Sequence, residues 1–191
     1  NKEWEADHTV VDYVQGAGET NATALTVATS SNAADNVSFA IDDLNGDYLK
    51  VTGTATINVF DVVEVTGSFG VEKKTDQDLY ISSETEANAL VKANLLTIGL
   101  SNVSAFVGFG GMGLQLTDLD LAIALWSENK DTDARSWTSV MGNVGSASFV
   151  GVTGLTIAVT NAGIVVNKEW EADHTVVDYV QGAGETNATA L

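Results

Sequence analysis

The chain has 191 residues, with 8 Lys and Arg against 26 Asp and Glu, a formal net charge of −18. So acidic a chain speaks against binding nucleic acid or an anionic membrane through a basic surface. The absence of Cys removes disulfides, zinc–thiolate sites and thiol catalysis together, while an apolar fraction of 45% is normal for a folded core and no run reaches the roughly 18 apolar residues of a membrane-spanning helix.

The first segment, Asn1–Leu25, reads NKEWEADHTVVDYVQGAGETNATAL and recurs letter for letter as Asn167–Leu191, a period of 166 residues. Such self-similarity is the mark of a repeat architecture. The expected organisation is one complete β-rich unit over residues 1–166 and the start of the next identical unit over 167–191. Both ends then lie inside something longer; a strand-complemented or circularly permuted design is the competing reading. Pro is absent, which favours a continuous stack over beads on stiff linkers. Thr9, Val10, Val11, Tyr13 and Val14 suit a strand, and that strand would supply the joint between repeats. His8 and its copy His174 have no Gly-x-Ser-x-Gly partner motif and read as surface or interface histidines.

Val37, Phe39 and Ile41 alternate and lead into Asp42-Asp43-Leu44-Asn45-Gly46-Asp47. Asn-Gly between alternating runs predicts a hairpin turn. Asp43, Asn45 and Asp47 also alternate as the oxygen ligands of a Ca²⁺ loop do, although Tyr48 stands where an EF-hand needs Gly. From Leu49 to Val71 the odd positions are mostly apolar and the even ones mostly Thr, Lys, Asn and Ser. That period of two predicts a long amphipathic strand or strand pair, with a bulge or corner at Phe60–Val62. Asp76 and Asp78, beside Lys73 and Lys74, read as a charged hairpin tip or edge gatekeeper. Ser83-Glu84-Thr85-Glu86 has capping-box spacing ahead of Ala87, Leu90, Val91 and Leu95, so one short helix is expected here.

Gly108, Gly110, Gly111 and Gly113 read as a tight turn; no Lys follows, so this is not a phosphate loop. Further strands follow from Leu114, Leu116, Leu119, Leu121, Ile123 and Leu125, and from Leu155, Ile157, Val159, Ile164 and Val166. Asp118 and Asp120 are expected on a solvent face rather than as an acid–base pair. Glu128–Asp133 forms a second acidic loop in which Asp131 and Asp133 are candidate Ca²⁺ ligands, with Lys130 and Arg135 offsetting charge. Trp4, Trp126 and Trp137 either cap the core at strand ends or stack sugars. LTIGLSNVSAFV at 96–107 echoes LTIAVTNAGIVV at 155–166, as if one sheet-forming unit were reused. Asn21, Asn36 and Asn102 open glycosylation sequons, which matter only where the source glycosylates.

The stretch from Leu119 to Asn167 carries a likeness, chiefly in Arg135-Ser136-Trp137, in Gly145–Val152 (GSASFVGV) and in the closing Leu155–Asn167. It resembles a repeat of very long bacterial surface or secreted proteins, often described as giant adhesin-like. The likeness covers a quarter to a third of the period. It implies an extracellular or cell-surface array and says little about ligands. The glycine-rich nonapeptide of calcium-dependent β-rolls is missing, so that mechanism is not carried over.

The expected fold is all-β: a β-solenoid or a stacked, layered β-sheet repeat, with a β-sandwich repeat as the alternative. The expected role is a structural or adhesive unit of a long extracellular fibre, not an enzyme. Its partners would be neighbouring repeats or other copies of itself, with cell-surface glycans as a possible adhesion target, and Ca²⁺ would be its only cofactor. The alternative is an apolar-lined groove or tube that carries lipid or other hydrophobic cargo. It would show a row of exposed apolar side chains along one concave face, whereas interdigitated packing excludes it.

Overall fold

A computed structural model of the protein describes residues 10–14, 21–41, 47–82, 89–170, 174–180 and 188–189. The fold is all-β, in two compact units, residues 1–49 and 50–191. In the first unit β1 (Thr26–Val27) pairs antiparallel with β2 (Val37–Ser38), and the hydroxyls of Thr26 and Ser38 meet at 2.7 Å. A 3-10 turn at Ala33–Asp35 lies between them, capped by the Asn32 side chain, which accepts from Ala34 N at 3.1 Å.

The second unit is dominated by one antiparallel sheet. Its strands are β3 (Leu49–Val59), β4 (Val63–Ser82), β5 (Ala89–Phe109), β6 (Met112–Glu128), β7 (Ser136–Val150) and β8 (Ile157–Glu169), each beside the next. A short seventh strand, β9 (Val176–Val177), pairs with Ser82 and Ile81 of β4, on the edge of β4 away from β5. Among the described residues the sheet does not close into a barrel.

The turns follow from local chemistry. Phe60 and Asp61 both have positive φ (52° and 56°), and Val62 N donates to Val59 O at 3.0 Å. This is a type I′ turn, whose twist matches that of the strands it joins. The break in alternation at Phe60–Val62 is therefore a hairpin turn rather than a bulge within one strand. Gly110 and Gly111 (φ 60° and 80°) make the β5–β6 turn, as their spacing predicts.

Two expectations are corrected. Leu90, Val91 and Leu95 lie in β5, not in a helix; residues 83–88, with the capping box, lie outside the described residues. Val91, Ala93 and Leu95 also satisfy a period of two, and hydrogen bonding to both β4 and β6 decides for strand. Asp76 and Asp78 lie within β4 rather than at a hairpin tip. Asp76 (φ 56°) sits at a bulge between Lys74 and Gln77, and Asp78 pairs with Lys92 at 2.8 Å.

A line of irregularities crosses the sheet. Asn102, Asp118 and Asn161 have φ of 51°, 53° and 53° inside their strands. The register shifts around Gly67 and Asn102, while Asp118 faces Gly145, which in turn faces Asn161. Here the apolar alternation slips by one: Leu96, Ile98 and Leu100 give way to Val103, Ala105 and Val107. An extra residue per strand absorbs such a slip and keeps the apolar series on one face. Asn102 and Asn161 are equivalent positions in the two echoed segments, so the echo reuses a positive-φ irregularity. Asp120 Oδ1 accepts from Asn102 N at 3.0 Å and so holds it. A Cβ on Gly145 would sit 2.8 Å from the Asp118 Cβ, which is why this position has no side chain.

The core sits at one end of the sheet. Leu95, Trp126, Trp137 and Glu169 are successive cross-strand partners and so share a face. With Leu79, Ile81, Ala93, Ala124 and Val177 their apolar members form the buried cluster. The opposite face carries Leu96, Ile98, Leu100, Leu121, Ile123, Val140, Ile164 and Val166, none of them buried. Residues 93–117 and 136–167 contain no ionisable side chain, so the charge of the sheet is carried elsewhere. Among the described residues no helix is long and apolar enough to cross a membrane.

Candidate functional site

The site that the fold builds with most care is the place where the second copy of the duplicated segment lies on the end of the sheet. β8 runs through Asn167, Lys168 and Glu169, all three in the duplicated sequence, and the chain returns as β9 on the edge of β4. Glu169 Oε2 accepts from Thr175 N at 2.8 Å, both groups being buried, and so holds the return. The Trp137 indole Nε1 donates to Thr175 Oγ1 at 3.1 Å. Asp178 N donates to Tyr80 O at 2.9 Å, and Thr189 Oγ1 accepts from Tyr80 N at 2.9 Å.

A relay of polar groups ties the segment to the sheet. Trp126 Nε1 donates to Tyr179 OH at 3.0 Å, and that hydroxyl donates to Ser139 Oγ at 2.9 Å. Ser139 Oγ donates to Asn167 Oδ1 at 3.0 Å, and Asn167 Nδ2 donates to Val177 O at 2.7 Å. Val177 fills the core between these bonds at 2% exposure. These groups are only partly buried, Asn167 being exposed, but each bond the relay makes favours the same placement of the segment. Trp170 lies outside the core: its indole donates to Thr138 Oγ1 at 2.9 Å and its ring lies 4.3 Å from Lys168 Nζ.

The first copy repeats the local fold in a different setting. Thr23 N donates to Asp12 O at 2.8 Å, as Thr189 N donates to Asp178 O at 2.7 Å. Val14 N donates to Asp12 Oδ1 at 3.0 Å, as Val180 N donates to Asp178 Oδ1 at 3.3 Å. Yet Val11 is 45% exposed where its copy Val177 is buried. On its other side the first copy makes a bond of its own, Tyr13 N to Ile41 O at 3.0 Å, with the Tyr13 ring 5.0 Å from Phe39.

Beside Tyr179 a trough of about 1000 Å³ opens on the same face of the sheet as the core. Gly99, Ala122, Ala124, Ser139, Met141 and Val165 line its floor and are cross-strand neighbours. Lys50 and Glu72 stand at its margin, paired at 3.4 Å, with Lys74 at 3.0 Å from the same carboxylate. Partial burial pushes the Glu72 carboxyl up, but the two lysines more than offset this and hold it below the usual range.

The other sequence-derived sites are placed as follows. Asp43 and Asn45 lie outside the described residues, and Asp47 is half-buried just ahead of β3. Asp131 and Asp133 are exposed in the β6–β7 loop. Among the described residues no three His, Cys, Asp or Glu side chains gather as a metal site would need. The same loop is closed by Glu128 and Arg135: Arg135 Nε and Nη2 donate to the two carboxylate oxygens at 3.1 and 3.0 Å. Asp118 and Asp120 serve the bulge line, Trp126 and Trp137 the core, and His174 is exposed. No family model, no curated protein and no solved structure matches the chain.

Proposed function

We propose that the chain is a structural, adhesin-type unit of a long extracellular tandem-repeat fibre, in which each repeat is joined to the next by the segment duplicated at 1–25 and 167–191. One observation carries the reading: a single sequence occurs in two settings, with its Val buried on a preceding sheet in one and exposed in the other. On this reading the docking of the second copy on its sheet is the docking that the first copy makes on the repeat before it. The apolar face of the sheet, half-buried at Leu96, Ile98, Leu100, Leu121, Ile123 and Val140, adds support, because a stacked layer would cover it further. Stability then rises with repeat number, as a sum of unit and interface terms. Chains carrying increasing numbers of the 166-residue unit test this. The expected result is an object that lengthens by a constant step in electron micrographs while its melting temperature rises. Independent beads melting at one temperature would refute it.

A second reading has its own support in the trough, whose floor is mostly apolar or small. On that reading the sheet carries an acyl chain or similar cargo along its face. Native mass spectrometry of the gently purified chain distinguishes the two: bound lipid that delipidation removes favours cargo, and a bare chain favours the fibre.

A further inference from the structure

The two copies display two different halves of one joint. In the second copy Asp178 N points to the preceding sheet, reaching Tyr80 O. Asp178 O faces the same way, since it accepts from Thr189 N while the Thr189 hydroxyl is bonded to Tyr80. In the first copy the N–H of the next residue, Tyr13, reaches Ile41 O in its own repeat, just beyond β2. Adjacent N–H groups of an extended chain point to opposite edges. The two sets of bonds therefore do not compete.

We infer that the joint strand is shared, so that residues 10–14 of each repeat hydrogen-bond along one edge to β4 of the repeat before and along the other to residues near Ile41 of their own repeat. This deepens the fibre reading and rests on it. The bulge-free Val-Val-Asp-Tyr run would then sit as an internal strand, with a sheet edge satisfied on each side. The side chains agree with this. The phenol tip of Tyr179 is spent on Trp126 and Ser139, whereas Tyr13 offers its ring to Phe39, so one tyrosine can serve both repeats. The local hydrogen bonds common to both copies, from Thr23 or Thr189 and from Val14 or Val180, need not change when the two halves combine. The partner is thus another copy of this chain's own first unit, held by main-chain bonds.

The test compares amide hydrogen exchange in the 191-residue chain with that in the same chain lengthened by a second copy of residues 26–49 placed directly after Leu191. The expected result is an Asp178 amide protected in both, and a Tyr179 amide that slows at least tenfold only in the lengthened chain. An unchanged Tyr179 rate overturns the shared strand while leaving the joint intact. So does a fall in Asp178 protection as Tyr179 becomes protected, because it shows one strand choosing between two partners. An Asp178 amide that exchanges freely in the 191-residue chain overturns the joint itself and the shared strand with it.

Discussion

Trp137 and Thr175 are each 1% exposed and are joined by an indole-to-hydroxyl hydrogen bond of 3.1 Å. Thr175 belongs to the duplicated segment and Trp137 to the sheet, so this bond ties that segment to the sheet. Thr175→Val keeps the shape and removes the acceptor. It should cost about 1–3 kcal/mol, the penalty for a buried donor left without a partner. Thr175→Ser retains the hydroxyl and should cost about 1 kcal/mol for the lost methyl. Urea unfolding followed by tryptophan fluorescence separates them; equal losses would mean that the hydroxyl contributes nothing.

The duplication supplies an internal control that few proteins offer. Val177→Ala removes two buried carbons and should lower stability by about 2 kcal/mol. Val11→Ala is the same substitution in the same sequence context, at a site 45% exposed. It should fall within about 0.5 kcal/mol of the parent. Matched denaturation curves decide this, and an equal cost at both positions would show that the two copies are equivalently packed in solution.

The bulge line makes a third expectation, which concerns backbone fit rather than burial. Gly145→Ala places a Cβ 2.8 Å from that of Asp118, in strands held on both sides, and should cost about 1–3 kcal/mol. Gly99→Ala, also within a strand, meets no atom within 4 Å. It should be neutral or stabilise by up to about 1 kcal/mol, as Gly is entropically unfavourable in strands. Thermal melts should therefore show a clear loss for Gly145→Ala and none for Gly99→Ala; a loss at Gly99 as large as that at Gly145 would show that the line has no special geometry.

Most of the strands are legible in the letters, because one face of each strand is apolar and the other is not. Leu49–Val71 and Leu114–Leu125 alternate for that reason, and each irregular point in the alternation, Phe60–Val62 and Thr117-Asp118, became a turn or a bulge. The false helix at Leu90–Leu95 arose because capping-box letters are local, whereas the pairing of β5 with two neighbours is not. Asp76 read as a tip because Asp tolerates positive φ; it uses that freedom at a bulge inside β4. The returning segment was legible as a duplication but not as a site. Which face receives the returning segment depends on Trp126, Trp137 and Glu169, which come together only through the register of three strands.

The Glu128–Arg135 pair closes the β6–β7 loop and makes stability depend on pH. Hydrogen bonds from the Arg135 side chain hold the Glu128 carboxyl below the usual range, outweighing the partial burial that pushes it up. A carboxylate depressed in the folded state contributes stability above its unfolded value of about 4.3. That contribution is lost as pH falls through the lower, folded-state value. Glu128→Gln keeps the size and removes the charge, and should cost about 1 kcal/mol at neutral pH for this two-pronged, mostly buried pair. The gap to the parent should stay constant from pH 7 to about pH 5 and shrink as the solution becomes more acidic. Denaturant midpoints measured across that range test the assignment. A gap that persists undiminished at the acid end would place the effect in packing rather than in charge.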